Sequence, residues 1–255
     1  MKKIIHLSDL HIGLDDCARR MGLLVQAIAF AKKPASNYVI VITGDIVNNA
    51  FDSSLIPEAL SFIKKLKDSG YDVLIAPGNH DYGSGALADK DLVAPFKKAF
   101  FGDPKQEFPK LDIIDGVAFV GIDSMKGELG FIDRIGAEGE ITSKQLGKLD
   151  EILKRKDVQD CAKRVVYLHH HPFDPRPFHG LKDSAALENV LKDAKVSALL
   201  YGHNHDGGVW NGTWGIPRCY DGSSSTGARL KPTLPRVIDL EKDPRWDYQI
   251  SVPGL

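Results

Sequence analysis

The sequence predicts an α/β fold over residues 1–255, read as one domain in which two sheets lie face to face with helices outside. Three observations carry that prediction. Short apolar, β-branched runs alternate with longer amphipathic stretches as far as residue 202. From residue 206 the chain changes to brief strand-like runs and glycine-rich turns, with no linker, repeat or low-complexity tract of consequence. A chain of 255 residues at 43% hydrophobic content can also bury one sizeable core.

Taken in order, strands are expected at IIHL (4–7), YVIVIT (38–43), DVLIA (72–76), VAFVGI (117–122), RVVYLH (164–169) and SALLYG (197–202). Helical patterns around 17–33, 54–69, 89–101, 142–155 and 183–193 fall between or before them. In SKQLGKLDEILKR, for example, Leu146, Leu149, Ile152 and Leu153 share one helical face. Parallel neighbours need long crossovers, so this alternation implies a largely parallel sheet covered by helices. Beyond residue 205, the runs VW, TW, RCY, RVIDL and DYQISV point to a second, more antiparallel sheet. VWNGTW reads as two short strands around an Asn211-Gly212 corner. Asn211-Gly212-Thr213 also fits a glycosylation sequon, but Lys2-Lys3 runs straight into a strand rather than a secretory leader.

Lys and Arg total 33 against 34 Asp and Glu, a net charge of −1 that calls for neither nucleic acid nor an anionic membrane. No apolar run is long enough to span a bilayer, so a cytoplasmic protein without a membrane partner is expected. Cys17, Cys161 and Cys219 are scattered and odd in number, which reads as buried free thiols rather than a zinc site or disulfides.

Ligands of an open α/β sheet gather where strands end at their carboxyl edge, because loops there converge over one crevice. Five apolar runs here are followed at once by Ser8-Asp9-Leu10-His11, Thr43-Gly44-Asp45, Pro77-Gly78-Asn79-His80-Asp81, the triplet His169-His170-His171 before Pro172, and Gly202-His203-Asn204-His205. Each alone has an ordinary reading: Asp-x-His and Gly-Asp are common in turns, and a histidine at a strand end is often only hydrogen-bonded. Turn chemistry gives no reason for Asp, Asn or His at all five. Metal ligation does.

No cysteine takes part, so oxygen and imidazole donors point to Mn, Fe, Zn, Co or Ni. Asp9, His11, Asp45, Asn79, one histidine of the triplet, His203 and His205 are too many for one ion. They suffice for two if a carboxylate bridges and water completes each shell. Two divalent ions bring about four positive charges, while two aspartates and a bridging hydroxide remove about three, leaving a cleft that attracts phosphate. Neutral Asn79 in place of a third carboxylate preserves that excess.

These motifs, spread over residues 9–205, resemble those of the calcineurin-like metallophosphoesterases. The resemblance implies a four-layer α/β/β/α sandwich of two mixed sheets flanked by helices. It also implies one ion on Asp9, His11, Asp45 and His205, and another on Asp45, Asn79, a triplet histidine and His203, with Asp45 bridging. In similar proteins the triplet ligand stands two places before a proline, which Pro172 puts at His170, with His169 as fallback. Strand alternation would then turn His169 and His171 to the opposite face. His6 is read as a core or supporting residue and His179 as a loop residue. The ions, Mn, Fe or Zn in divalent or mixed-valence pairs, would acidify a shared water and align it behind phosphorus. His80 would face the crevice to stabilise phosphate or protonate the leaving alkoxide, with Asp81 orienting it.

Departures narrow the substrate. Phosphoprotein phosphatases of this family carry GDxVDRG and a third motif ending in Glu, where this chain has GDIVNNA and GNHD. Repair nucleases add domains and basic surface for which this length and charge leave little room. HLSDLHIG, VAFVGIDS with a glycine-rich connection, and ITSKQLGKLDEIL instead resemble bacterial class III cyclic-nucleotide phosphodiesterases and glycerophosphodiesterases. The expected partner is a small phosphoester, with a cyclic nucleotide as the candidate. A homo-oligomer stays open, as do a phosphomonoesterase or nucleotide pyrophosphatase, and, ranked last, a non-catalytic scaffold.

Overall fold

Strand β1 (Lys3–Leu7) leads into α1 (Cys17–Ala31), β2 (Tyr38–Thr43), α2 (Leu55–Asp68), β3 (Asp72–Ala76) and α3 (Val93–Phe101). A hairpin of β4 (Lys110–Ile114) and β5 (Val117–Gly121) follows, then α4 (Ser143–Lys154), α5 (Lys156–Gln159), β6 (Lys163–Tyr167), α6 (Ser184–Leu191) and β7 (Ala198–Tyr201). The short strands β8 (Cys219–Asp221), β9 (Arg236–Ile238) and β10 (Tyr248–Gln249) come last. The computed structural model describes residues 1–85, 87–125, 138–176, 179–231 and 233–252, so the glycine-rich connection after VAFVGIDS lies outside the described residues.

Two mixed sheets form, in the orders β10-β9-β1-β2-β3 and β4-β5-β6-β7-β8. Neighbours from β1 to β3 and from β5 to β8 are parallel, whereas β9, β10 and β4 join antiparallel. Two mixed sheets are what the resemblance implies, but the expected division into a largely parallel sheet and a second, more antiparallel C-terminal one is corrected. Strands of two or three residues are too short to build a sheet of their own, so β8 extends one parallel set and β9 and β10 extend the other. KLDII, not anticipated as a strand, supplies β4 at an edge, where its Lys110 and Asp112 pair with each other at 2.5 Å.

Side chains alternate across each strand and produce the layers. Ile4, Val39, Val41 and Leu74 meet Val117, Phe119, Val165, Tyr167 and Leu200 between the sheets. On the outer face of the first sheet, Ile5, Ile40, Ile42 and Ile75 pack on Met21, Leu24, Ile28, Ile63 and Phe96 of α1 to α3. Val120, Val166, Leu199 and Tyr201 of the second sheet pack on Leu146, Leu149, Leu153, Leu187 and Leu191 of α4 and α6. The order is helix, sheet, sheet, helix. All three cysteines are buried and free. No helix among the described residues is long and apolar enough to cross a membrane.

VWNGTW does not form the expected pair of strands. Val209 makes one bridge to Tyr220, and Thr213–Gly215 is a 3-10 turn after Gly212 at φ 87°. The Asn211 side chain accepts from the Cys219 amide at 3.0 Å, which ties this loop to β8 instead of closing a hairpin.

Candidate metal centre

The polar motifs lie beyond the ends of β1, β2 and β3 in one sheet and of β6 and β7 in the other, and backbone hydrogen bonds sew their loops together. Asp9 N donates to Gly44 O at 3.0 Å, His11 N to Asp45 O at 2.9 Å, and Gly202 N to His169 O at 2.9 Å. Asp9, His11, Asp45, His203 and His205 all hold left-handed backbone, with φ of 50°, 43°, 50°, 79° and 60°. Such conformations cost non-glycine residues on the order of 1 kcal/mol or more each and persist only where surrounding structure imposes them. Among the described residues, five of the twelve non-glycine residues with positive φ are thus ones singled out from the sequence.

Two donor sets result. In the first, His205 Nε2 lies 3.1 Å from Asp9 Oδ1 and 3.1 Å from His11 Nε2, and His11 Nε2 lies 3.7 Å from Asp45 Oδ2. In the second, His169 Nε2 lies 2.9 Å from Asn79 Oδ1, 3.2 Å from His203 Nδ1 and 3.4 Å from Asp45 Oδ2. Asp45 Oδ2 thus faces both. Its other oxygen, Oδ1, accepts from His80 N at 2.9 Å, which fixes the carboxylate. Gly44 and Gly78 are needed for this approach: Gly44 sits at φ 82°, and a Cβ on Gly78 would lie 2.3 Å from Asp45 Oδ1.

These atoms fit a cation. Among the described residues, buried Asp9 Oδ1 accepts no well-formed hydrogen bond, although His205 Nε2 stands 3.1 Å away, and ring nitrogens converge in pairs that need positive charge between them. Burial pushes His11 down to about 3, leaving a neutral imidazole with a lone pair to give. At His169 burial works against charge, but the Asp45 and Asp9 carboxylates outweigh it and hold the group up to about 10. Asp45 is held well below the ordinary carboxylate range, against its burial, by His169 and His80. The carboxylates therefore require positive charge at their centre, as a divalent ion would supply.

The triplet differs from expectation in a specific way. β6 ends at Tyr167, so strand alternation does not govern the three histidines beyond it. His169 Nδ1 donates to Thr43 O at 2.8 Å, which directs Nε2 at Asn79 and Asp45. His170 Nδ1 lies 2.8 Å from Ser124 Oγ, and its ring meets that of His169 edge to face and lies tilted against that of His203. A ring nitrogen of His170 also comes within 4.8 Å of donor atoms of His169 and His203, yet the contacts to Asn79 and Asp45 belong to His169. His171 packs among Tyr201 and Trp210 and accepts from Phe173 N at 3.1 Å. Burial depresses it to about 4.

His80 lines the cleft as expected, but Asp81 does not orient it. The Asp81 carboxylate accepts from Ile46 N and Gly78 N, both at 2.8 Å, and Val47 N at 3.1 Å, so it braces the loops that carry Asp45 and Asn79. The Asn48 carbonyl holds His80 Nδ1 at 2.5 Å instead. A backbone acceptor has no signature in sequence, so nothing there points to Asn48, and nothing marks Ser124 either. Ser8 stands in the sequence only as a neighbour of Asp9, yet its hydroxyl donates to Asp9 Oδ2. His6 is buried with Nε2 3.0 Å from Thr43 Oγ1, and His179 lies 3.3 Å from Asn204 Oδ1 at the cleft wall. The cleft, about 440 Å³, opens over both donor sets and is also lined by Gly85, Arg229 and Lys231.

A family model described as calcineurin-like phosphoesterase matches residues 2–207. A protein of Fibrobacter succinogenes named a probable cyclic nucleotide phosphodiesterase is 28% identical over 221 residues, covering 80% of this chain and 72% of its own. A cAMP/cGMP dual specificity phosphodiesterase of Mycobacterium tuberculosis is 29% identical over 224 residues, covering 79% of this chain and 61% of its own, so the chain spans less than two thirds of that relative. Among solved structures, TT1561 of Thermus thermophilus superposes with a TM-score of 0.62 at 13% identity, over 98% of this chain and 99% of that one. GAP50, titled the anchor in the inner membrane complex of Plasmodium, superposes with a TM-score of 0.57 at 14% identity, over 99% and 89%. Likeness at that identity speaks for the fold alone.

Proposed function

This chain belongs to the calcineurin-like phosphoesterase family, and from that premise we propose that it is a two-metal phosphodiesterase acting on a small ester such as a 3′,5′-cyclic nucleotide. The observation that carries this reading is the sharing of Asp45 Oδ2 between two donor sets, 3.7 Å from His11 Nε2 and 3.4 Å from His169 Nε2. Asp9, His11, Asp45 and His205 would hold one ion, and Asp45, Asn79, His169 and His203 the other. His169 takes the place that the spacing to Pro172 gives to His170. Two such ions, when bound, supply Lewis acidity and a water acidic enough to attack phosphorus near neutral pH.

The chain's own side chains do the rest. Asn79 offers a neutral oxygen, so the cage keeps an affinity for the anionic ester that a third carboxylate would diminish. With Nδ1 held by the Asn48 carbonyl, His80 keeps Nε2 for the substrate and is the candidate to protonate the departing oxygen. Asp81 acts through the backbone, by positioning Asp45 and Asn79. The likeness to two cyclic-nucleotide phosphodiesterases favours diester over monoester.

The test is metal analysis after dialysis, followed by hydrolysis of bis-p-nitrophenyl phosphate, p-nitrophenyl phosphate and 3′,5′-cyclic AMP with manganese or zinc and with chelator. We expect about two ions per chain, diester preference, and loss of turnover on chelation. Preference for the monoester would replace the diesterase with a phosphatase. Absence of both metal and turnover would favour a non-catalytic scaffold.

A further inference from the structure

We infer that Arg229 binds a second anionic group of the substrate, so that the preferred ester carries a negative charge beyond the one at the phosphorus attacked. The inference rests on the diesterase reading above and narrows its substrate class to esters with a further anionic group, which a 3′,5′-cyclic nucleotide with its single charge does not carry.

The cleft is larger than a phosphoryl group needs. At about 440 Å³ it falls within the range of small-molecule sites. Buried His11 and Asp45 line it together with the exposed Arg229 and Lys231. The carboxylates nearby are already matched: Asp206 lies 3.3 Å from Lys231 Nζ, and Asp174 lies 2.5 Å from Arg176. Among the described residues no hydrogen bond or ion pair engages the Arg229 side chain. A simple diester carries a single charge and meets its cations in the metal cage. Arg229 is a surplus cation in the same cleft, and guanidinium offers the flat fork that suits a phosphate or carboxylate.

Its backbone is held in place. Arg229 and Leu230 adopt φ of 53° and 60°, conformations that an ordinary residue reaches only under constraint. The constraint is visible: Arg20 donates to Thr226 O at 3.1 Å and Gly227 O at 2.9 Å, and Ala228 N donates to Ser224 Oγ at 2.9 Å. That same Ser224 hydroxyl donates to Asp9 O at 2.8 Å. The loop bearing Arg229 is thereby anchored to the backbone of a residue of the cage.

Two probes with one leaving group separate the outcomes: thymidine 5′-(p-nitrophenyl phosphate) and the same compound bearing a 3′-phosphate, hydrolysed by manganese-loaded protein. We expect kcat/KM for the 3′-phosphorylated compound to be at least about tenfold higher, equivalent to one charge-assisted contact, and Arg229→Gln to bring that ratio close to one. A parent ratio near one, or a ratio that Arg229→Gln leaves intact, would overturn the inference. Calorimetric binding of thymidine 3′,5′-bisphosphate against thymidine 5′-monophosphate supplies the same ratio without turnover. If neither ester is cleaved, the diesterase reading fails by itself, and the binding ratio in parent and variant still decides the role of Arg229.

Discussion

His169 Nε2 lies 2.9 Å from Asn79 Oδ1, with its Nδ1 held by the Thr43 carbonyl at 2.8 Å. This pair of contacts fixes tautomer and direction together, whereas His170 has its Nδ1 against Ser124. His169→Ala should therefore lose one of the two ions and lower kcat by more than about a hundredfold, while His170→Ala keeps both. Metal analysis after dialysis checks this, and the reverse outcome would restore His170 as the ligand.

Close approach of backbones should be as critical as the ligands. A Cβ on Gly78 would meet Asp45 Oδ1 at 2.3 Å and Asp45 N at 2.4 Å, and the backbone atom cannot swing away. Gly78→Ala is expected to destabilise by roughly 1–3 kcal/mol and to weaken metal retention. Gly147, inside α4 with nothing within 4 Å of where an alanine methyl would sit, is the control: Gly147→Ala should stabilise by about 0.5–1 kcal/mol. Thermal melts of both variants make the comparison.

What the sequence disclosed, and what it did not, divides along physical lines. The runs IIHL, YVIVIT and DVLIA announce β1 to β3 because strands buried on both faces are apolar throughout. Their assignment to one sheet rather than two is invisible, since it depends on which faces meet across the core, as Val41 and Phe119 do. That Asp9, Asp45, Asn79, His203 and His205 come together is legible because several donors at successive strand ends share no ordinary explanation. Which histidine of LHHH faces Asn79 and Asp45 is not, because it rests on where β6 ends and on a carbonyl of Thr43 that any residue would carry. The role of Asp81 was hidden for a similar reason: its partners are the amides of Ile46, Val47 and Gly78, which sequence cannot mark.

His80 and Asp81 should accordingly separate in experiment. Loss of a proton donor matters most when the leaving group is poor, so His80→Ala should lower diester turnover by about a hundredfold or more for an alkyl leaving group and by much less for p-nitrophenolate. Metal content should stay at the parent level. Asp81→Ala leaves three backbone amides without their acceptor and should cost on the order of 1–3 kcal/mol of stability. A leaving-group dependence in the Asp81 variant like that of His80→Ala would reinstate it as the partner of His80.

Asp221, at the end of β8, makes a prediction about pH. Ser223 N donates to its Oδ1 at 2.7 Å, but Oδ2 is buried without a partner. Burial, reinforced by the charge of Asp9, pushes the carboxyl from 3.8 up to about 7 despite the Ser223 amide. The fold therefore binds this proton more tightly than the unfolded chain does. Its contribution to stability is complete below about 3.8 and is lost as pH rises through about 7. A shift of that size corresponds to at most roughly 4 kcal/mol, and relaxation around the charge will reduce it. Asp221→Asn cannot ionise, so its melting temperature relative to the parent should rise between pH 5 and pH 8, by several degrees at about 2–4 °C per kcal/mol. Melting both proteins in the same buffer at each pH cancels every other titrating group to first order. A difference that stays constant across that interval would mean that Asp221 ionises as it does in the unfolded chain, through a partner for Oδ2 such as water.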